Sequence, residues 1–274
     1  MAGRSALETY KKGGAWWETE ISDSKKNEII IRGKRVEDLI GNVTYSQMLY
    51  FLLVGEELNE RKAALFESVL VAGSDHGPRA PSIAAARMAA TCGVTFNSAV
   101  ATGINMLGDV HGGAVEDSMA ILYATKEAID EGRGSVTEQL DRLLQAGKKL
   151  PGFGHQLHDD DPRVKRLYEL SQLLIEEDDI SGVYLRLLED FRLHISDRKK
   201  RSFTINVDGI SAAIQCELGI PAEAAKGIFA LSRGMGIVAH AYEELQNGTL
   251  IKGPCPNEET LVRYTGKSVR EEGE

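Results

Sequence analysis

Pro151-Gly-Phe-Gly-His-Gln-Leu-His-Asp-Asp-Asp-Pro-Arg163 decides how the rest of the chain is read. Glycines on both sides of Phe153 let the backbone bend sharply and approach a ligand closely. His155 follows at once, so an imidazole is presented from a tight loop. Asp161-Pro162 reads as a helix N-cap and first helical residue. Arg163 then falls in the first turn, where its charge opposes the positive end of the helix dipole unless an anion sits at the same place. A bent loop, a histidine, a helix start and an arginine in so short a span make a pocket for a carboxylate or a phosphate. The blander alternative is a loop with a hydrogen-bonded histidine and a surface arginine.

Outward from this loop, helical signals dominate. Val43–Gly55 carries Met48, Leu49, Leu52 and Leu53 at helical spacing. Asn59 caps a run to Ala72 that Gly73 stops, and Pro81 opens a small-residue helix to Thr91, with another over 94–107. Gly112-Gly113 opens a helix to about Glu131, and Ser135-Val-Thr-Glu138 is a capping-box pattern for a helix ending near Gly147. Further helices are expected from Pro162 to about Glu177, over Gly182–Lys200, from Asp208 to Gly219, and from Pro221 to Gln246. Only Glu28–Ile40, with a turn at Gly33, has strand character. The expected class is all-α. Residues 1–26 read as a polar N-terminal arm whose Trp16 and Trp17 dock elsewhere.

Composition narrows the partners. The 274 residues make one large domain or two small ones, and 42% hydrophobic content supports a substantial core. A net charge of −9 argues against nucleic acid or an anionic membrane as partner. Cys92, Cys216 and Cys255 show no zinc spacing, so no metal site is expected, and so sparse a set fits a reducing, cytoplasmic compartment. There is no signal-peptide h-region, and no apolar run reaches transmembrane length.

Four further stretches carry residues suited to chemistry. In Ser74-Asp-His-Gly-Pro78 a turn exposes His76. In Gly108-Asp-Val-His-Gly-Gly-Ala114, His111 precedes a helix start, whose dipole favours the neutral imidazole. A neutral imidazole N–H polarises a carbonyl without exchanging a full charge. In Ile205-Asn-Val-Asp-Gly209, Asp208 is either an N-cap or a base, and an apolar setting would raise its basicity. In Leu231-Ser-Arg-Gly-Met-Gly-Ile-Val-Ala-His240, Arg233 lies inside an apolar helix, where it needs a salt bridge or a bound carboxylate.

These stretches, in this order, resemble the citrate synthase superfamily, which includes citryl-CoA lyases and the C-terminal part of ATP-citrate lyase. The matching signatures are Pro-Gly-Phe-Gly-His with Asp-Pro-Arg, Asp-His-Gly-Pro, His-Gly-Gly, Asn-Val-Asp and Ser-Arg-x-x-Gly, with Arg263-Tyr-Thr-Gly266 echoing the C-terminal Tyr-x-Gly. The resemblance implies a large dimer-forming domain (1–115 and 214–274), a small substrate and CoA domain (116–213), and an active site in the cleft. It implies His111, His155 and Asp208 as catalytic: His111 stabilises the thioester enol, His155 bonds the oxygen that becomes the alkoxide, and Asp208 moves the α-proton. His76, Arg163 and Arg233 would hold the oxo acid. The partner subunit's arginine of the family has no clear match, and Lys252 is the nearest candidate. The basic CoA-binding residues that many synthases carry after His155 are replaced here, so Arg198, Lys199, Lys200 and Arg201 are the expected phosphate ligands, or else a solvated helix end.

The implied function is a coenzyme-A-dependent carbon–carbon lyase that cleaves citryl-CoA to acetyl-CoA and oxaloacetate, with no tightly bound cofactor. A short span between residue 33 and His76 favours the lyase, while His111 favours a synthase-type condensation. A catalytically silent ligand-binding homologue is a further alternative. An obligate homodimer is expected, with Ala84, Ala85, Ala86, Ala89, Ala90, Ser98, Ala99 and Ala101 forming small-residue faces at the interface.

Overall fold

The computed structural model describes residues 15–147, 150–154, 161–256, 258 and 261–266. The chain is mostly helical, with one sheet of three short strands among the described residues. Strands β1 (Ser22–Lys25) and β2 (Glu28–Ile31) pair antiparallel, and β3 (Lys34–Arg35) pairs with β2. Asn27, Arg32 and Gly33 take positive φ of 61°, 48° and 81° at the connecting turns. β1 lies within the stretch read as an arm. All its side chains are exposed, so no apolar alternation marked it.

The helices follow the expected order closely: α1 (Val36–Leu39), α2 (Tyr45–Val54), α3 (Glu60–Gly73), α4 (Pro81–Thr91), α5 (Phe96–Ile104), α6 (Ala114–Asp130), α7 (Val136–Gln145), α8 (Pro162–Glu176), α9 (Val183–Lys199), α10 (Val207–Glu217) and α11 (Ala225–Asn247). The single turn α1 stands where the sequence suggested a returning strand. The caps explain several boundaries. Thr44 and Ser135 form capping boxes with Gln47 and Glu138, and Asp161 with Pro162 begins α8 as read.

The chain divides into two compact units. The first comprises the residues up to Ala72 with Gly113–Ile228, and the second comprises Gly73–Gly112 with the residues from Phe229 on. In the first unit α10 is the central element: every residue from Gly209 to Cys216 is buried. It packs with α6, α8 and α9, and its core partners include Met119, Leu122, Leu185, Leu188 and Phe191. A helix buried on every side needs such neighbours all round. The carbonyls just beyond its C-terminal end are met by tyrosines. Tyr50 Oη donates to Leu218 O at 2.8 Å and Tyr123 Oη to Ile220 O at 2.7 Å. Glu217, at the last turn of α10, accepts from Gly182 N at 3.0 Å and Tyr184 N at 2.7 Å, and so closes the start of α9.

In the second unit α4 and α5 pack together, with Ile237 and Ala241 of α11 completing a small core of Ala80, Ile83, Ala86, Ala90 and Ala99. Gly103 permits the approach: a Cβ there would stand 2.8 Å from Ser82 O. The small-residue expectation needs correcting here. Ala85, Ala86, Ala90 and Ala99 are buried within the subunit, because small side chains let these helices close on each other. Ala84 and Ala89 keep partial exposure and Ala101 is exposed.

Candidate active-site residues and their family

The candidate residues fall into a group in each unit. In the second unit, His76, Arg233, His111 and Lys252 are present. Each motif residue of α11 meets the loop that carries His76. Arg233 Nε donates to Gly73 O at 2.9 Å, and Gly236 N to Ser74 O at 3.2 Å. A Cβ on Gly73 would stand 2.6 Å from Ser232 Oγ, and one on Gly236 would collide with Ser74 O. The spacing of Ser232, Arg233, Gly236 and His240 is therefore first a fastening for the loop 73–75. Arg233 is 5% exposed, and its guanidinium lies 5.2 Å from the centroid of the Phe229 ring.

His111 sits in a turn closed by Gly108 N donating to His111 O at 2.9 Å. Gly112 has φ of 104°, and a Cβ there would press on the Phe229 ring at 2.8 Å, so glycine is required. The Nε2 of His111 accepts from Ser82 N at 3.4 Å and lies 3.1 Å from Ser82 Oγ. A backbone amide only donates, so Nε2 is the acceptor and the neutral ring carries its proton on Nδ1. Burial, and secondly the Arg233 charge, push the His111 pKa below its ordinary value. The helix start that touches the imidazole is that of α4, 29 residues earlier in sequence, which local reading could not reveal. Lys252 donates through its backbone N to Thr91 Oγ1 at 3.0 Å, and its Nζ stands 4.0 Å from Glu244 Oε1.

In the first unit, the loop that opened the sequence reading is zipped to the stub before α10. Phe153 and Ile205 form an antiparallel bridge. Gly154 N donates to Thr204 O at 2.8 Å, Asn206 N to Gly152 O at 3.0 Å, and Asn206 Nδ2 to Gly154 O at 2.9 Å. Gly152 and Gly209 touch backbone to backbone: a Cβ on Gly209 would stand 2.5 Å from Gly152 O. The cap of α10 is Asn206, whose Oδ1 accepts from Asp208 N and Gly209 N at 3.0 and 3.1 Å. Asp208 itself is the second helical residue and half-buried. The Asn in Asn-Val-Asp was the available signal, since asparagine is among the strongest N-caps. His155 lies outside the described residues.

The anion that Arg163 required is Asp161. Its Oδ1 accepts from Arg163 N at 3.0 Å and Nε at 2.9 Å, and its Oδ2 from Nη2 at 2.7 Å. This side-on fork fixes the guanidinium and leaves its Nη1 edge as the face not engaged by Asp161. Among the expected phosphate ligands, Arg198 pairs with Asp141, which His194 also meets at 2.8 Å, and Lys200 pairs with Asp197 at 2.9 Å. Arg201 lies 4.4 Å over the Phe203 ring, and Lys199 is exposed. Among the described residues no group of three or more His, Cys, Asp or Glu is placed to hold a metal ion.

The sequence matches the family described as citrate synthase, C-terminal domain, over residues 53–253. It is 31% identical over 228 residues to the citrate synthase of Haloferax volcanii, covering 82% of this chain and 56% of that protein. The chain thus spans about half the length of the synthases it matches. Among solved structures, the citryl-CoA lyase of Hydrogenobacter thermophilus superposes with a TM-score of 0.83 at 37% identity, over 93% of this chain and 96% of that one. The ATP citrate lyase of Methanothrix soehngenii, solved with citrate and coenzyme A, shares the fold with a TM-score of 0.77 at 22% identity, over 99% of this chain and 46% of that one. With the family match covering residues 53–253, most of its length, and a solved relative superposing over 93% of it, the chain belongs to the citrate synthase family.

Proposed function

We propose that this chain cleaves citryl-CoA to acetyl-CoA and oxaloacetate, with the coenzyme A thioester as substrate rather than as a resident cofactor. The observation that carries the carbon–carbon chemistry, in either direction, is His111, a neutral imidazole anchored through Nε2 on the start of α4, which leaves Nδ1–H to donate. Such a donor stabilises the oxygen of a thioester enolate without a full proton transfer. The likeness to citryl-CoA lyase over 96% of that chain supports the cleavage direction.

The reaction is a retro-aldol cleavage. The tertiary hydroxyl of citryl-CoA gives its proton to His155, and its oxygen becomes the carbonyl of the oxo acid. The electrons of the breaking carbon–carbon bond pass to the thioester as an enolate, which His111 holds. Asp208, entering as the acid, protonates the enolate carbon and completes acetyl-CoA. His76, Arg163 and Arg233 take the oxo-acid carboxylates, and Lys252 adds positive charge in place of the family's partner-subunit arginine. Lys199 and Arg201 are the stronger phosphate ligands for coenzyme A, because Arg198 and Lys200 already share carboxylates. Residues 116–213 are proposed as the small substrate and coenzyme A domain, all of it inside the first compact unit.

The same groups run the condensation in reverse, and His111 matches the histidine of synthases. One assay separates the readings: synthetic citryl-CoA in one vessel, acetyl-CoA with oxaloacetate in another, and products identified by mass spectrometry. Fast cleavage with little free citrate is the expected result. Citrate with free coenzyme A would assign a synthase, and binding without turnover a silent homologue.

The protein is further proposed to act as a cytoplasmic homodimer. Its three cysteines are all free thiols, as a reducing compartment would leave them. Leu231, Met235, Val238, Tyr242 and Leu245 on α11 are 46%, 50%, 42%, 57% and 38% exposed. Their alternating steps of four and three residues make one apolar seam, which suits a facing helix.

A further inference from the structure

The loop carrying His76 has a support that the proposed reaction leaves unexplained. Asp75 Oδ1 accepts from Gly77 N at 3.2 Å, which ties the turn on which His76 sits. Asp75 also faces His240, whose Nε2 lies 3.3 Å from Oδ1 and 3.5 Å from Oδ2. On the other side of the ring, His240 Nδ1 stands 3.1 Å from Arg87 Nη1, with Glu243 Oε2 at 3.9 Å. A guanidinium only donates, so Nδ1 accepts and the imidazole proton sits on Nε2, directed at Asp75.

Arg87 is itself immobilised. Its Nε and Nη2 lie 2.6 and 2.5 Å from Glu244 Oε2, and its Nη1 donates to Glu243 at 2.9 Å. The Glu244 side chain is 1% exposed. Burial would push its carboxyl up, yet hydrogen bonds from Arg87 and Thr249 and the Arg87 charge hold it below the ordinary range. The same carboxylate has Lys252 Nζ at 4.0 Å. A continuous line therefore runs from the His76 turn through Asp75, His240, Arg87 and Glu244 to Lys252.

We propose that His240 is a positioning residue for oxo-acid binding: with Arg87 behind it, it locks the turn that carries His76 and so presets that imidazole for the ligand. This rests on the reading of His76 as an oxo-acid ligand. A histidine is suited to the task because one rigid ring accepts on one side and donates on the other. A glutamine at this position reaches Asp75 with its amide N–H, while an asparagine reaches only toward Arg87.

The test uses the full chain and oxaloacetate, with affinity measured by titration calorimetry. His240→Ala and Asp75→Ala are each expected to weaken oxaloacetate binding about tenfold, with coenzyme A binding unchanged. The double variant should be no weaker than Asp75→Ala alone, because both remove one link. His240→Gln should recover most of the loss and His240→Asn should not. In parallel, hydrogen exchange over residues 73–80 should accelerate in His240→Ala while α4 and α5 stay protected. Wild-type affinity in a folded His240→Ala variant, additive losses in the double variant, or glutamine no better than alanine would overturn the assignment. If the wild-type protein binds no oxaloacetate, the proposed reaction fails. The exchange measurement then decides the lock by itself, since unchanged exchange over 73–80 would refute it.

Discussion

At the scale of the residue, the sequence showed which side chains carry charge or an imidazole but not what each one touches. The dipole argument for Arg163 demanded an anion, and the structure supplies it as Asp161, two residues upstream. The helix expected after His111 does begin at Ala114, but the helix start that touches the imidazole was hidden, because Ser82 is distant in sequence. Asp208 was read as cap or base, and Asn206 takes the cap. Asp208→Asn should keep the fold and abolish exchange of acetyl-CoA methyl protons with solvent. The expected loss is about 10²–10⁴-fold, or roughly 3–5 kcal/mol in the barrier. Wild-type exchange rates in the folded variant would exclude this role. His111 gives a pH prediction. Its folded pKa is lowered from 6.5, so the folded and unfolded states are both neutral above that value. As pH falls below 6.5 the unfolded chain takes up a proton first, and stability declines until the folded pKa is passed. Urea midpoints across this window should fall in the wild type and fall less in His111→Gln.

At the scale of the element, helix boundaries were legible because caps and breakers are local chemistry: Ser135 and Asp161 both act as their positions suggested. What the sequence hid is contact between segments. The glycines around Phe153 were read as flexibility for a ligand. Gly152 in fact receives the backbone of Gly209, so the loop before His155 and the helix of Asp208 are joined as one piece. Gly209→Ala places a Cβ 2.5 Å from Gly152 O, and backbone cannot step aside as a side chain can. The expected cost is about 1–3 kcal/mol in urea unfolding, with turnover falling further because the segment bearing Asp208 must shift. A variant with wild-type stability and turnover would show that the two segments move independently.

At the scale of the whole molecule, the class and the family were legible, since helical periodicity and motif order survive at modest identity. The interface reasoning was less successful, because a small residue suits a tight contact inside a subunit as well as one between subunits. Ala86 is fully buried beneath α11, so Ala86→Arg should unfold the second unit rather than separate subunits. The sharper probe is the exposed seam. Met235→Asp with Tyr242→Asp should give a folded monomer by light scattering, with unchanged helical content by circular dichroism. Persistence of a dimer would place the interface elsewhere.

The tyrosines beyond the C-terminal end of α10 bear on the order in which the protein is made. Tyr50 reaches Leu218 across 168 residues of chain, and Tyr123 reaches Ile220 across 97. A nascent chain therefore emerges with α2 and α6 long before the helix that satisfies them exists. Ribosome-bound chains ending shortly before Leu218 should leave both hydroxyls to water and the early helices open to protease. Release of only a few more residues should then close the first unit in one late step, and Asp208 becomes fixed in that same step.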